Sequence, residues 1–192
     1  MDLLQLGLSL SLGLGLAAAC GFRVFIPPLM MGVASRFGLY ELDGSFSWVG
    51  ETWAIGIFGI ATLIEVGGYY IPWIDNILDM IATPAAIIGG IFVTSASLEG
   101  EMDPSMQWVL SIIAGGSTAG VIQIGTVATR AASTTTTGGL ANPLVSTLEA
   151  LASIICIILS LFLVVIIPFV LVFLIWIAIK YIMKSNNEVN SV

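Results

Sequence analysis

Histidine is absent from this chain, and charge is scarce: Asp, Glu, Lys and Arg make up 9% of its 192 residues. The first absence removes His-ligated zinc and haem, and with them Ser-His or Cys-His nucleophilic catalysis. An enzyme would be left with metal-carboxylate hydrolysis, which ranks that class last. The second absence, beside 58% hydrophobic residues and a mean hydropathy of +1.08, lies far from the soluble norm of about a quarter charged. Bases are the scarcest of all. Five stand against twelve acids, giving a formal charge of -7 and no basic face for a phosphate backbone, which argues against a nucleic-acid partner. Only two cysteines occur, Cys20 and Cys156, in separate apolar stretches, where they read as small packing residues rather than a disulfide or metal pair.

What is present is apolar sequence in long runs, so the chain reads as an all-α integral membrane protein. At about 20 residues per span, the length holds five or possibly six transmembrane helices, some broken or re-entrant. They form one polytopic domain, 1–184, with possible halves 1–104 and 105–184 and a polar tail at 185–192. Ala17-Ala18-Ala19-Cys20 imitates a lipoprotein cleavage site, but Asp2 stands where a positive region belongs and apolar sequence resumes at once, so residues 1–34 read as retained membrane structure.

The first segment, 3–34, is interrupted by Gly21-Phe22-Arg23-Val24-Phe25-Ile26-Pro27-Pro28, where the prolines force a kink or an unwound stretch and can open a second half-helix. A second span is expected over 52–68, with Gly56 and Gly59 on a close-packing face. From Trp73 to Ala82 an interfacial helix carries Asp75, Asn76 and Asp79, and Pro84 ends or kinks it before a short third span over 85–98. The fourth span, 106–128, is rich in small residues around Gly115 and Gly116, as an interior helix requires. Arg130 and the run Ser133 to Thr137 read as a polar loop. The last segment, 143–183, carries a single interruption at Pro168 and reads as one long kinked helix, two helices being the alternative. With five spans, an outside N-terminus places Arg36, Lys180 and Lys184 in the cytoplasm with the C-terminus, and leaves only Arg130 outside.

Two stretches share a pattern: Gly67-Gly68-Tyr69-Tyr70-Ile71-Pro72 and Gly138-Gly139-Leu140-Ala141-Asn142-Pro143. Each leads into a helix start bearing acids, Asp75 and Asp79 after the first and Ser146 and Glu149 after the second. This is a weak internal pseudo-repeat, and the five-span topology brings both turns to one, extracytoplasmic side.

Ala18 to Pro27, Glu65 with Ile71 to Asp79, and Gly138 to Pro143 with Ser146 and Glu149 together resemble a family of small bacterial membrane proteins, catalogued as domain of unknown function 4126. The resemblance covers most of residues 10 to 150. It implies a multi-pass protein, by extension of the bacterial inner membrane, and no particular activity. Gly68-Tyr69-Tyr70 departs from it, since charged residues are expected there.

The candidate pathway residues are Glu65, Asp75, Asp79, Asn142, Glu149, Arg23 and Arg130, because charge inside a bilayer is expensive and needs a cause. Clustered oxygens from Glu65, Asp79 and Glu149 would suit a hard cation, and protonatable ones a proton-coupled cycle. No other cofactor is expected. Local explanations compete: Asn142 can cap a helix, Ser146 and Glu149 fit a capping box, Asp75 can cap its own helix, and Arg23 can pair with Glu65 or Glu149. Glu65, late in an apolar span, has no capping role to explain it and leads the candidates as a functional acid. Function is therefore expected to be transport of a cation or proton-coupled small solute by a homodimer paired through the glycine faces. An anionic lipid or organic-anion binder and a non-catalytic scaffold are the alternatives.

Overall fold

The computed structural model describes residues 3–162 and Lys180; within the fourth helix the side chains at 72, 73, 75 and 76 are outside the description. The chain is all-helical over the described residues. Helix α1 is Leu3–Phe22, α2 Ile26–Arg36, a 3-10 helix Gly44–Gly50, α3 Thr52–Gly68 and α4 Pro72–Ser97. Helix α5 runs Pro104–Thr137 and α6 Asn142–Phe162. Four stretches are long and apolar enough to cross a membrane, namely α1, Ile77–Ser97 of α4, α5 and α6. They become five if the 3-10 helix and α3, bent by 67°, make one broken span. The expected number of spans is thus matched, but its last segment lies outside the described residues beyond Phe162.

Segment 3–34 is not one kinked span. Ser9 Oγ donates to Glu101 Oε1 at 3.1 Å, which puts the start of α1 beside the turn after α4. At its other end Arg23 meets α6, and α2 then doubles back so that Met30, Met31 and Ala34 lie beside Leu12 and Leu16. The result is a hairpin, not a kink. It sets the start of α1 at the same end of the bundle as the Glu99–Glu101 turn, which corrects the topology that put the N-terminus opposite that turn.

Two segments expected to be irregular are helical. Pro84 leaves the Met80 carbonyl without its helical donor, yet α4 continues through it as one helix. The threonine run also stays in α5, its hydroxyls satisfied within the helix by carbonyls four residues earlier: Thr136 Oγ1 to Ala132 O at 2.8 Å and Thr137 Oγ1 to Ser133 O at 2.7 Å. Gly138 and Gly139, at φ of 65° and 87°, then end the helix in the left-handed region. Gly67 and Gly68 do not share this conformation, so the two Gly-Gly-x-x-x-Pro turns differ in backbone. They do face each other. The Tyr70 hydroxyl and Thr147 Oγ1 lie 2.7 Å apart, so both turns occupy one end of the bundle.

Helices α1, α4, α5 and α6 form the central bundle. The α4–α5 crossing is backbone on backbone, since a Cβ at Gly115 would lie 2.6 Å from Gly90 O. Here α5 passes through one turn of π-helix, Ser111–Gly116, which presents Gly115 and Gly116 to α4. These glycines are used within the chain, whereas Gly56 and Gly59 on α3 have nothing within 4 Å. The close-packing face expected on α3 is therefore open among the described residues. Helices α2 and α3 pack chiefly on each other and the 3-10 helix, and α3 barely touches α4.

At the end opposite the glycine turns, Ser45 N–H donates to Glu99 at 3.0 Å and Gln107 Nε2 at 2.7 Å, clasping the 3-10 helix to α4 and α5. Those bonds, Ser45's first, hold the Glu99 carboxyl below the usual glutamate range. Because the folded value is depressed, the clasp stabilises fully above the ordinary glutamate value and is lost as pH falls through the lowered one. Glu99→Gln should therefore lower the melting temperature in detergent at about pH 7, and the gap to wild type should narrow as pH falls below the ordinary glutamate value. A gap independent of pH would remove this role.

Candidate functional site

The polar residues of the spans gather toward the glycine-turn end. Arg130 lies seven residues before the end of α5 and Glu149 seven after the start of α6, about 10 Å of helix at 1.5 Å per residue. The cluster is thus inside the bundle. Arg23 is 0% exposed, Arg130 2%, Glu149 6% and Glu65 7%. Burial on this scale demands pairing.

Glu149 receives both arginines. Arg23 Nη2 lies 3.1 Å from Glu149 Oε2, and Arg130 bonds the same carboxylate through Nη2 and, at 3.2 Å, through Nε. Arg130 also pairs with Asp79 of α4 through Nη1. Arg23 Nη2 donates further to Ser146 O at 2.8 Å and Ser146 Oγ at 2.6 Å. Ser146 and Glu149 are therefore not a capping box. Their helix opens at Asn142, and both face arginines from α1 and α5.

Tyr69 carries the like charges. Its ring centroid lies 4.3 Å from Arg23 Cζ and 3.7 Å from Arg130 Cζ, both within cation–π range, and the residue is 2% exposed. The polar loop expected at Arg130 is not found: the residue is helical and, like Tyr69, buried in the network. Proximity of Tyr69 to a glycine turn was the only signal, and its partners come from 46 and 61 residues away.

Glu65 does something different. Its Oε1 accepts from Val24 N–H at 2.8 Å and its Oε2 from Phe25 N–H at 3.1 Å, which caps the broken helix from across the bundle. Phe25 offers no side-chain cap to α2, and the prolines at its opening carry no N–H, so the break depends on this carboxylate. A capping role thus exists, from α3 to a different helix.

Asn142 opens α6 and donates from Nδ2 to Thr134 Oγ1 at 3.0 Å, tying α6 to the threonine run. It stands apart from the arginines in these contacts. Asp75 lies in the first turn of α4, but its side chain is outside the described residues. No group of three His, Cys, Asp or Glu side chains among the described residues could hold a metal ion. Glu65, Asp79 and Glu149 do not form an oxygen cage, because guanidinium groups and backbone amides take their oxygens.

Two grooves flank the network among the described residues. One, of about 230 Å³, is lined by Val24, Phe25, Glu65 and Tyr69 with residues of α4. The other, of about 450 Å³, is lined by Phe22, Thr126, Thr129 and Glu149. Arg23 stands between residues of the two. A buried ion network at a broken helix, in a bundle with at least four membrane-length apolar helices, defines the chain as a polytopic α-helical membrane protein. It belongs to the family described as Domain of unknown function (DUF4126), whose model matches residues 10–184. No curated protein and no solved structure matches it.

Proposed function

We propose that this protein is a small membrane transporter that moves a solute coupled to protons, with Glu65 as the proton-carrying group. The observation that supports it most is the Glu65 carboxylate bonded to the two amides at the break between α1 and α2. Interrupted helices with ionisable groups at the break are how membrane proteins build solute sites without exposing backbone to lipid. Among the described side chains of the network, the carboxylates of Glu65, Asp79 and Glu149 face the guanidinium groups of Arg23 and Arg130. A proton is what balances the third carboxylate. Of the two arms expected from the sequence, a cation or a proton-coupled solute, the second is favoured because no three carboxylates share one point among the described residues.

Helices α2 and α3 pack chiefly on each other, and the Glu65 carboxylate ties α3 to the break after α1, so protonating Glu65 would release Val24 and Phe25 and loosen that tie. The experiment is luminal pH in dye-loaded proteoliposomes during addition of small solutes across a pH gradient. Wild-type protein should couple at least one solute to proton movement, and Glu65→Gln should abolish the coupling. Unchanged proton movement in that variant would overturn the assignment.

A further inference from the structure

The groove beside Glu65 does not end there. It shares Val24, Phe25 and Ala85 with a second groove of about 370 Å³, lined further by Phe58, Ile88 and Phe92. Together they make an apolar trough between α3 and α4, present because these two helices hardly touch. Its polar end is the break. There the amides of Val24 and Phe25 point at the Glu65 carboxylate, 2.8 and 3.1 Å away. The fully buried Arg23, over the ring of the groove-lining Tyr69, has Nε and Nη1 without a hydrogen-bond partner among the described residues.

Two amides at the opening of an 11-residue helix and an unsatisfied guanidinium edge form an anion site, in which Glu65 acts as the protein's own carboxylate. We infer that the trough binds an organic monocarboxylate with an unbranched apolar tail, whose head replaces Glu65 at Val24 and Phe25 and engages the free nitrogens of Arg23. The tail lies along α3 and α4 toward Phe92. Glu65 leaves as the neutral acid, its new O–H proton drawn from water, so one anion and one proton enter together and no net charge is added. This names a substrate class for the proton-coupled reading and rests on it. The charged and titratable groups around Glu65 are Cys20 and Arg23 at the end of α1, Tyr69 after α3, Asp79 on α4, Arg130 on α5 and Glu149 on α6.

Soluble alkyl carboxylates and fatty acids of the bilayer share this chemistry, so the test uses octanoate on purified protein in detergent and palmitate in nanodiscs, with octanol as the neutral control. Titration calorimetry should show saturable octanoate binding about tenfold tighter at about pH 5 than at about pH 8, and at least about tenfold tighter than octanol. In Glu65→Gln the pH dependence should vanish. Ile88→Trp, which narrows the far groove and does not line the groove beside Glu65, should weaken octanoate about tenfold and leave acetate unchanged. Palmitate binding in nanodiscs with octanoate silent would support the site and assign its ligand to the bilayer. Equal binding of octanoate and octanol, or no saturable binding of either carboxylate, would overturn the inference. If binding fails while proton movement still depends on Glu65, the inference falls and the transport reading stands; binding without proton movement removes the transport reading alone.

Discussion

Glu149→Ala is expected to destabilise the folded protein by about 3–5 kcal/mol, the range for removing one partner of a buried ion pair. The reason is its position rather than its charge alone. Its carboxylate is the acceptor shared by Arg23 and Arg130, and both guanidinium groups also lie against one tyrosine ring. Without it, Arg23 keeps Ser146 as its acceptor among the described residues, and two like charges meet in a buried site with Asp79 as the carboxylate paired with Arg130. Unfolding by denaturant in mild detergent measures the loss. Arg23→Gln alone should also destabilise, and the double variant should cost less than the sum, since removing both partners spares an uncompensated buried charge. A loss below about 1 kcal/mol for Glu149→Ala would mean the network is solvated rather than buried.

Much of this arrangement follows from local signals. The span 52–68 and the break after Phe22 are marked by apolar run length and by Pro27 and Pro28, and the family resemblance matched over residues 10–184. Reversal at that break is not legible, because prolines that open a kink and prolines that open a hairpin look alike; the contact of Ser9 with Glu101, 92 residues on, decides it. The threonine run misleads for a related reason. Low intrinsic helix propensity and hydroxyl content point to a loop, yet the hydroxyls can be satisfied by carbonyls of their own helix and leave it intact.

The site was legible by residue type and opaque in its pairing. Charge in an apolar run singled out Arg23, Glu65, Asp79, Arg130 and Glu149, and the structure connects all five directly or through one neighbour. What no spacing revealed is that Glu149 serves two arginines, or that Tyr69 lies against both. Such partners are brought together by helix crossings at Gly90 and Gly115, whose effect on distant side chains has no sequence period.

Glu65 separates structure from transport, because two substitutions remove different parts of what it does. Glu65→Leu takes away both acceptors, leaving the Val24 and Phe25 amides unsatisfied in an apolar setting at about 1–3 kcal/mol each, offset by about 1 kcal/mol from the added aliphatic burial. A net loss of about 1–5 kcal/mol is expected. Glu65→Gln keeps one carbonyl oxygen to accept an amide and should lose about half as much, yet it cannot exchange a proton at any working pH. Amide hydrogen exchange read over residues 23–28 reports the cap directly: protection should fall strongly in the leucine variant and slightly in the glutamine variant. Proton movement, in contrast, should be lost equally in both. If exchange at the break were unchanged in Glu65→Leu, the carboxylate would not be holding α2 in place. The proposed coupling of proton binding to the break after α1 would then lose its mechanical basis, because among the described residues the hydrogen bonds from Val24 and Phe25 are what join Glu65 to that break.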